Sequence, residues 1–158
     1  MTGITLLLTA LFAAVVFGLV WRRRQGTVRS TGEASAVVTD QRRLLLEAAG
    51  VGPASPEHPR RATVLHFSAD WCGPCAAVRR VVGQVVADLA GEPEPPVEVE
   101  VDIDEYPALA KELGVLSLPT TFILDADLQQ RFRVSGVPAA TDLRAALGPL
   151  TRPPGSNS

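Results

Sequence analysis

Between Ala62 and Leu89 the chain changes its hydrophobic period, and a pair of cysteines sits at the changeover. The run ATVLHFS, Ala62 to Ser68, is apolar and β-branched, which predicts a strand buried on both faces. Beyond Cys75 the residues Val78, Val81, Val82, Val85, Val86 and Leu89 recur at helical spacing, and Gly91 with Pro93 closes that helix. A strand that feeds directly into a helix leaves few architectures open. The two cysteines, Cys72 and Cys75, are the only ones among 158 residues. Such a pair is no scaffold of structural disulfides, so burial must hold the fold together and the pair reads as chemistry.

The placement suits that chemistry. A helix N-terminus presents unpaired N–H groups and a partial positive charge, which favour an anion. A thiolate at Cys72 gains from this, and its pKa is expected to fall. Cys75, one turn on, lies on the same face and can attack a mixed disulfide formed by Cys72. Gly73 allows a tight turn, and Pro74 suits a first helical turn because its missing N–H had no partner there. Cys72 is therefore the expected nucleophile and Cys75 the resolving thiol.

The remaining pattern predicts one domain with extensions. Thr39-Asp40 caps a helix through Ala49, with Leu44, Leu45 and Leu46 supplying apolar contacts and Gly50 and Gly52 ending it. Val51 to Arg61, with three prolines, is a loop. Val97 to Val101 alternates Val with Glu as a strand does, and Pro107 to Leu113 is a short helix stopped by Gly114. Thr120 to Leu124 and Gln130 to Val134 flank the turn residues Asp125-Ala126-Asp127 as a hairpin. Ala139 to Leu147 is a last helix capped by Thr141 or Asp142, and Pro149 to Ser158 is a disordered tail. Alternating strands and helices predict an α/β domain, a central mixed sheet flanked by helices, over residues 37–148. A net charge of −2 gives no reason to expect a nucleic-acid partner.

Residues 1–3 form a stub, and Ile4 to Trp21 is an uncharged run of apolar residues long enough for one N-terminal transmembrane helix. A secretory signal peptide is the alternative. Against it, no Lys or Arg precedes the run, and Arg22-Arg23-Arg24 follows where small residues should mark cleavage. The arginines, with Arg29, place the C-terminal side in the cytoplasm by the positive-inside tendency, and Trp21 suits the interfacial belt. Residues 22–36 read as a basic juxtamembrane segment and flexible tether.

Trp71-Cys72-Gly73-Pro74-Cys75 after a buried strand, followed by Leu118-Pro119-Thr120 and by Gly136, resembles the thioredoxin family over Ala62 to Leu147. The resemblance implies the thioredoxin-like fold, a cis bond before Pro119, and a peptide-docking groove lined by Trp71, Gly73, Pro74, Leu118, Pro119, Gly136 and Val137. The Leu118 backbone would offer strand-like hydrogen bonds to an extended substrate. It implies a thiol–disulfide oxidoreductase that needs no cofactor beyond the Cys72–Cys75 disulfide. Its partners would be disulfide-containing proteins and a thioredoxin reductase or other dithiol donor. Gly-Pro between the cysteines resembles the reducing members, with potentials of about −270 mV.

The chain departs from that family at four positions. His66 stands where a buried acid is usual, Glu100 where a lysine lies beside it, Ala76 for a basic residue and Arg80 for a kinking proline. His66, together with Glu100, is the candidate for taking the proton from Cys75. Two other functions compete with a cytoplasmic reductase. One is the same reductase outside the membrane, in envelope disulfide exchange or cytochrome c maturation; the other is a non-catalytic adaptor using the groove alone. A zinc site is disfavoured, since only His58 and His66 could join the cysteines. Asp102, Asp104 and Glu105 read as a solvated turn and helix cap, Asp125 and Asp127 as turn residues.

Overall fold

The computed structural model describes residues 11–17, 29–30, 39–52 and 61–152. Its strands are β1 (Arg29–Ser30), β2 (Thr63–Ser68), β3 (Val97–Asp102), β4 (Thr120–Leu124) and β5 (Gln130–Ser135). Its helices are α1 (Asp40–Ala48), α2 (Cys75–Asp88), α3 (Pro107–Glu112) and α4 (Ala140–Leu147), followed by a 3-10 turn at Gly148–Leu150. The sheet order is β1-β5-β4-β2-β3. β2 and β3 run parallel and the other pairings are antiparallel, which makes the sheet mixed.

β2 is buried at all six positions because both faces of the sheet are covered. On one face Leu65 and Phe67 pack with Leu46, Leu109 and Phe122, under α1 and α3. On the other, Val64 and Ile123 pack with Val78, Val82, Val85, Leu143 and Leu147, under α2 and α4. The alternation along β2 therefore turns His66, two residues from Val64, toward α2. Phe67 and Phe122 meet edge to face with centroids 6.1 Å apart. Arg133 completes this core. Its guanidinium lies 5.2 Å from the Phe122 centroid and donates to the Leu113 and Gly114 carbonyls at 3.3 and 2.7 Å. It thereby satisfies backbone acceptors at the end of α3, where Gly114 turns with φ +64°, and ties β5 to the loop that leads into β4.

Several expectations need correction. Thr39 does cap α1, accepting from the Arg42 N–H at 3.2 Å, but Leu44 is exposed because a nine-residue helix turns only one stripe inward. α4 has no side-chain cap: Ala139 is its N-cap, and the Thr141 hydroxyl points to Asp142 instead. Arg29 and Ser30, inside the expected tether, pair with Arg133 and Phe132 of β5 at the sheet edge. The first residues of the expected disordered tail are structured. Thr151 is fully buried, its carbonyl accepting from the Glu94 N–H and its hydroxyl donating to the Gly148 carbonyl. Among the described residues no helix is long and apolar enough to cross a membrane. Of the run 4–21 only residues 11–17 are described; they are helical, and the rest lies outside the described residues, as do 31–36, most of the 51–61 loop and 153–158.

Candidate active site

The site is built at one end of the sheet. Strand register aligns Ser68 with Asp102 and Phe67 with Thr120, which in turn pairs with Ser135. The loops that leave these strand ends must therefore lie side by side, and they carry Trp71 to Cys75, Ile103 to Tyr106, Leu118-Pro119, and Gly136-Val137. The Leu118–Pro119 peptide bond is cis. Gly136 adopts φ +90°, a conformation open to glycine, and its N–H donates to the Pro119 carbonyl at 2.9 Å.

Cys72 and Cys75 are joined in a disulfide, with Cα atoms 5.5 Å apart. The two sulfurs are not equivalent. Cys75 is 1% exposed and points back toward the strand, its Sγ 3.9 Å from the Phe67 carbonyl, whereas Cys72 is half-buried at the surface. The helix begins at Cys75 with Pro74 as N-cap, three residues past Cys72, because the Cys72 carbonyl accepts from the Cys75 N–H in a preceding turn. Cys72 thus lies just ahead of the positive end of α2.

Next to Cys72 in the chain, Trp71 is 70% exposed; Leu116, in the loop that leads to Leu118-Pro119, is 93% exposed. The Trp71 indole N–H donates to Asp104 Oδ2 at 3.1 Å, and the Asp104 N–H is held by Asp102 Oδ1 at 2.8 Å. Gly73 and Pro74 are exposed, while Leu118, Gly136 and Val137 are half-buried and Pro119 is buried. Leu116 was not among the expected groove residues; its one signal was a large apolar side chain in a stretch without period. Asp104, read from sequence as a turn acid, is in addition the anchor of the indole.

His66 is 1% exposed, and its Nε2 lies 2.9 Å from Glu98 Oε1. An ionised carboxylate only accepts, so Nε2 donates, which leaves Nδ1 as the one ring nitrogen that could take a proton. The expected partner, Glu100, is engaged elsewhere: its Oε1 accepts from Arg79 Nε at 2.7 Å. Glu98 and Glu100 lie two apart on β3 and share a face, so alternation alone could not choose between them. The choice is made by α2. Arg79 on α2 takes Glu100 and leaves Glu98 for His66; Glu98 lies under Gly83, where a Cβ would stand at an ordinary 3.6 Å from Oε2. Directly across the sheet from His66, the fully buried Thr121 hydroxyl has no hydrogen-bond partner.

Partial burial works to raise the Glu100 carboxyl. Hydrogen bonds from Ser68 and Arg79, with the charges of His66 and Arg79, outweigh it and hold the group below the usual carboxylate range. A carboxyl depressed on folding stabilises the native state above its unfolded pKa, about 4.3, and that contribution is lost as pH falls through the lower folded value. Melting curves of wild type and Glu100→Gln should therefore differ near pH 7, by less than about 3 °C for so solvent-screened a pair. The difference should shrink steadily as pH falls below the unfolded carboxylate range and through the lower folded value; a difference that stays constant on acidification would contradict this.

Among the described residues no group of three or more His, Cys, Asp or Glu could hold a metal ion, and His58 lies outside them.

The thioredoxin family model matches residues 57–148. A thioredoxin of Pyropia yezoensis is 35% identical over 79 residues, 49% of this chain and 70% of that protein. The M-type chloroplastic thioredoxin of Chlamydomonas reinhardtii is 34% identical over 79 residues, and the chain spans only 54% of its length. In fold, thioredoxin-2 of the malaria parasite superposes with a TM-score of 0.52 at 24% identity, over 58% of this chain and 84% of that one.

Proposed function

Because the chain belongs to the thioredoxin family of protein-disulfide oxidoreductases, we propose that it reduces protein disulfides through Cys72 and Cys75, tethered to a membrane. One observation carries the chemical part: a disulfide at the start of α2 with one sulfur at the surface and the other buried. In the reduced protein the Cys72 thiolate attacks a substrate disulfide. One Cys72–substrate S–S bond forms, the substrate's bond breaks, and one substrate thiolate leaves. The Cys75 thiolate then attacks the Cys72 sulfur, the Cys72–Cys75 bond forms, and the second substrate thiolate leaves. Two electrons pass to the substrate, and a dithiol donor, of which a thioredoxin reductase is the family's example, must return them. Burial keeps solvent thiols from Cys75, so its attack is intramolecular and fast.

In this reading Trp71, Gly73, Pro74, Leu118, Pro119, Gly136 and Val137 form the docking groove, with the Leu118 backbone pairing to an extended substrate. His66 takes the proton from Cys75 as it resolves the mixed disulfide, and Glu98, 27% exposed, connects the ring to water. The test of the whole is insulin reduction driven by a small dithiol, with Cys72→Ser as the control.

The tether rests on the uncharged run from Ile4 to Trp21 and on the exposure of Leu11, Phe12, Val15, Val16 and Phe17, which leave an apolar surface for lipid. Arg22, Arg23 and Arg24 put the domain on the cytoplasmic side. A membrane-impermeant thiol reagent applied to reduced intact cells should then leave Cys72 unlabelled until lysis. Labelling before lysis would put the same chemistry in the envelope, and recovery of the chain in the soluble fraction would remove the tether.

A further inference from the structure

We propose that the groove selects a substrate segment carrying a lysine or arginine beside its cysteine; this rests on the disulfide-reducing reading above and names the substrate class that site takes. The four loops meeting at the disulfide end of the sheet, 69–74, 103–106, 114–119 and 136–139, contain Asp70, Asp104 and Glu105 and no Lys, Arg or His. Over the whole chain 15 basic residues nearly balance 17 acidic ones, so this face is locally negative in a nearly neutral protein. On α2, Arg79 lies near enough to feel Asp70, but its guanidinium is hydrogen-bonded to Glu100, and Arg80 Nε donates back to the Ala76 carbonyl, so Asp104 and Glu105 keep the rim acidic.

Charge alone would not define a site, but here it surrounds an aromatic surface next to the reactive sulfur. Trp71 follows Asp70 in the chain and is hydrogen-bonded to Asp104, so its N–H edge is already occupied while 70% of its surface stays open. An open indole face with carboxylates at its rim fits a long cationic side chain. The aliphatic stem lies on the ring and the head group reaches the acids. Leu116, also exposed, offers the same segment an apolar contact. The occupant is thus an extended, cysteine-bearing stretch of a basic protein, and a purely apolar stretch is the rival.

Three disulfide-bonded peptides, alike except for Lys, Gln or Glu flanking the cysteine, decide between them with the full chain as reductant. The Lys peptide should be reduced about tenfold faster than the Glu peptide at low salt, with the Gln peptide between them. The ratio should shrink toward unity in high salt, and the variant Asp70→Asn/Glu105→Gln should lower it about threefold at low salt. Equal rates for all three, or a ratio indifferent to salt and to the substitutions, would overturn this inference and leave disulfide reduction standing. No reduction of any of the three would overturn both.

Discussion

Replacing Cys72 by Ser should abolish insulin reduction, lowering the rate at least about a thousandfold, because no other described thiol can open a substrate disulfide. Cys75→Ser should fail differently. Its Cys72 still attacks, so one substrate thiol is released, but the second sulfur is missing and the mixed disulfide persists. The asymmetry follows from burial: Cys75 is 1% exposed, while Cys72 is half-buried at the surface ahead of α2. A thiol that protein cannot reach is useful only against a sulfur in its own chain. If Cys72→Ser kept substantial activity, the roles given to the two sulfurs would be wrong, and equal first-step rates in both serine variants would be equally damaging.

The second large effect concerns the proton on Cys75. His66→Gln keeps an N–H that can reach Glu98 but removes the basic nitrogen. Resolution of the mixed disulfide should slow about a hundredfold near pH 7. The deficit should narrow as pH rises into the alkaline range, where a thiol increasingly ionises without help. Glu98→Gln should shift the profile in the same direction by less, since the ring loses its anchor and keeps its base. A substitution that merely loosens the core would lower melting temperature and slow resolution by one factor at every pH. The shape of the profile therefore separates the two explanations, and curves that stay parallel from pH 6 to 9 would remove His66 from the reaction. The charged and polar groups around it are Glu98, hydrogen-bonded to its Nε2, Glu100 with its partners Arg79 and Ser68, and Thr121 across the sheet.

Much of the sheet was legible because its signals are local. A fully buried strand reads as unbroken apolar residues, and the valines of α2 mark the stripe that packs on Val64. The cysteine pair was legible for the same reason: period change, Gly-Pro spacer and sulfurs occupy a few consecutive residues. What escaped depends on separation in sequence. That Glu98 and not Glu100 meets His66 goes with Arg79 on α2, which engages Glu100. No periodicity within β3 carries that information. The indole anchor Asp104 lies 33 residues from Trp71, and the two are brought together only by strand register. That Pro149 to Thr151 are structured rests on one buried side chain, Thr151, inside a stretch whose prolines and polar residues argue for disorder.

The most direct test uses Cys75→Ser mixed with a protein disulfide and analysed as intact protein by non-reducing mass spectrometry. A single covalent adduct, released by dithiothreitol and mapping to Cys72, is the predicted species. An unmodified spectrum, with Cys72 reduced and accessible, would contradict the surface sulfur as nucleophile.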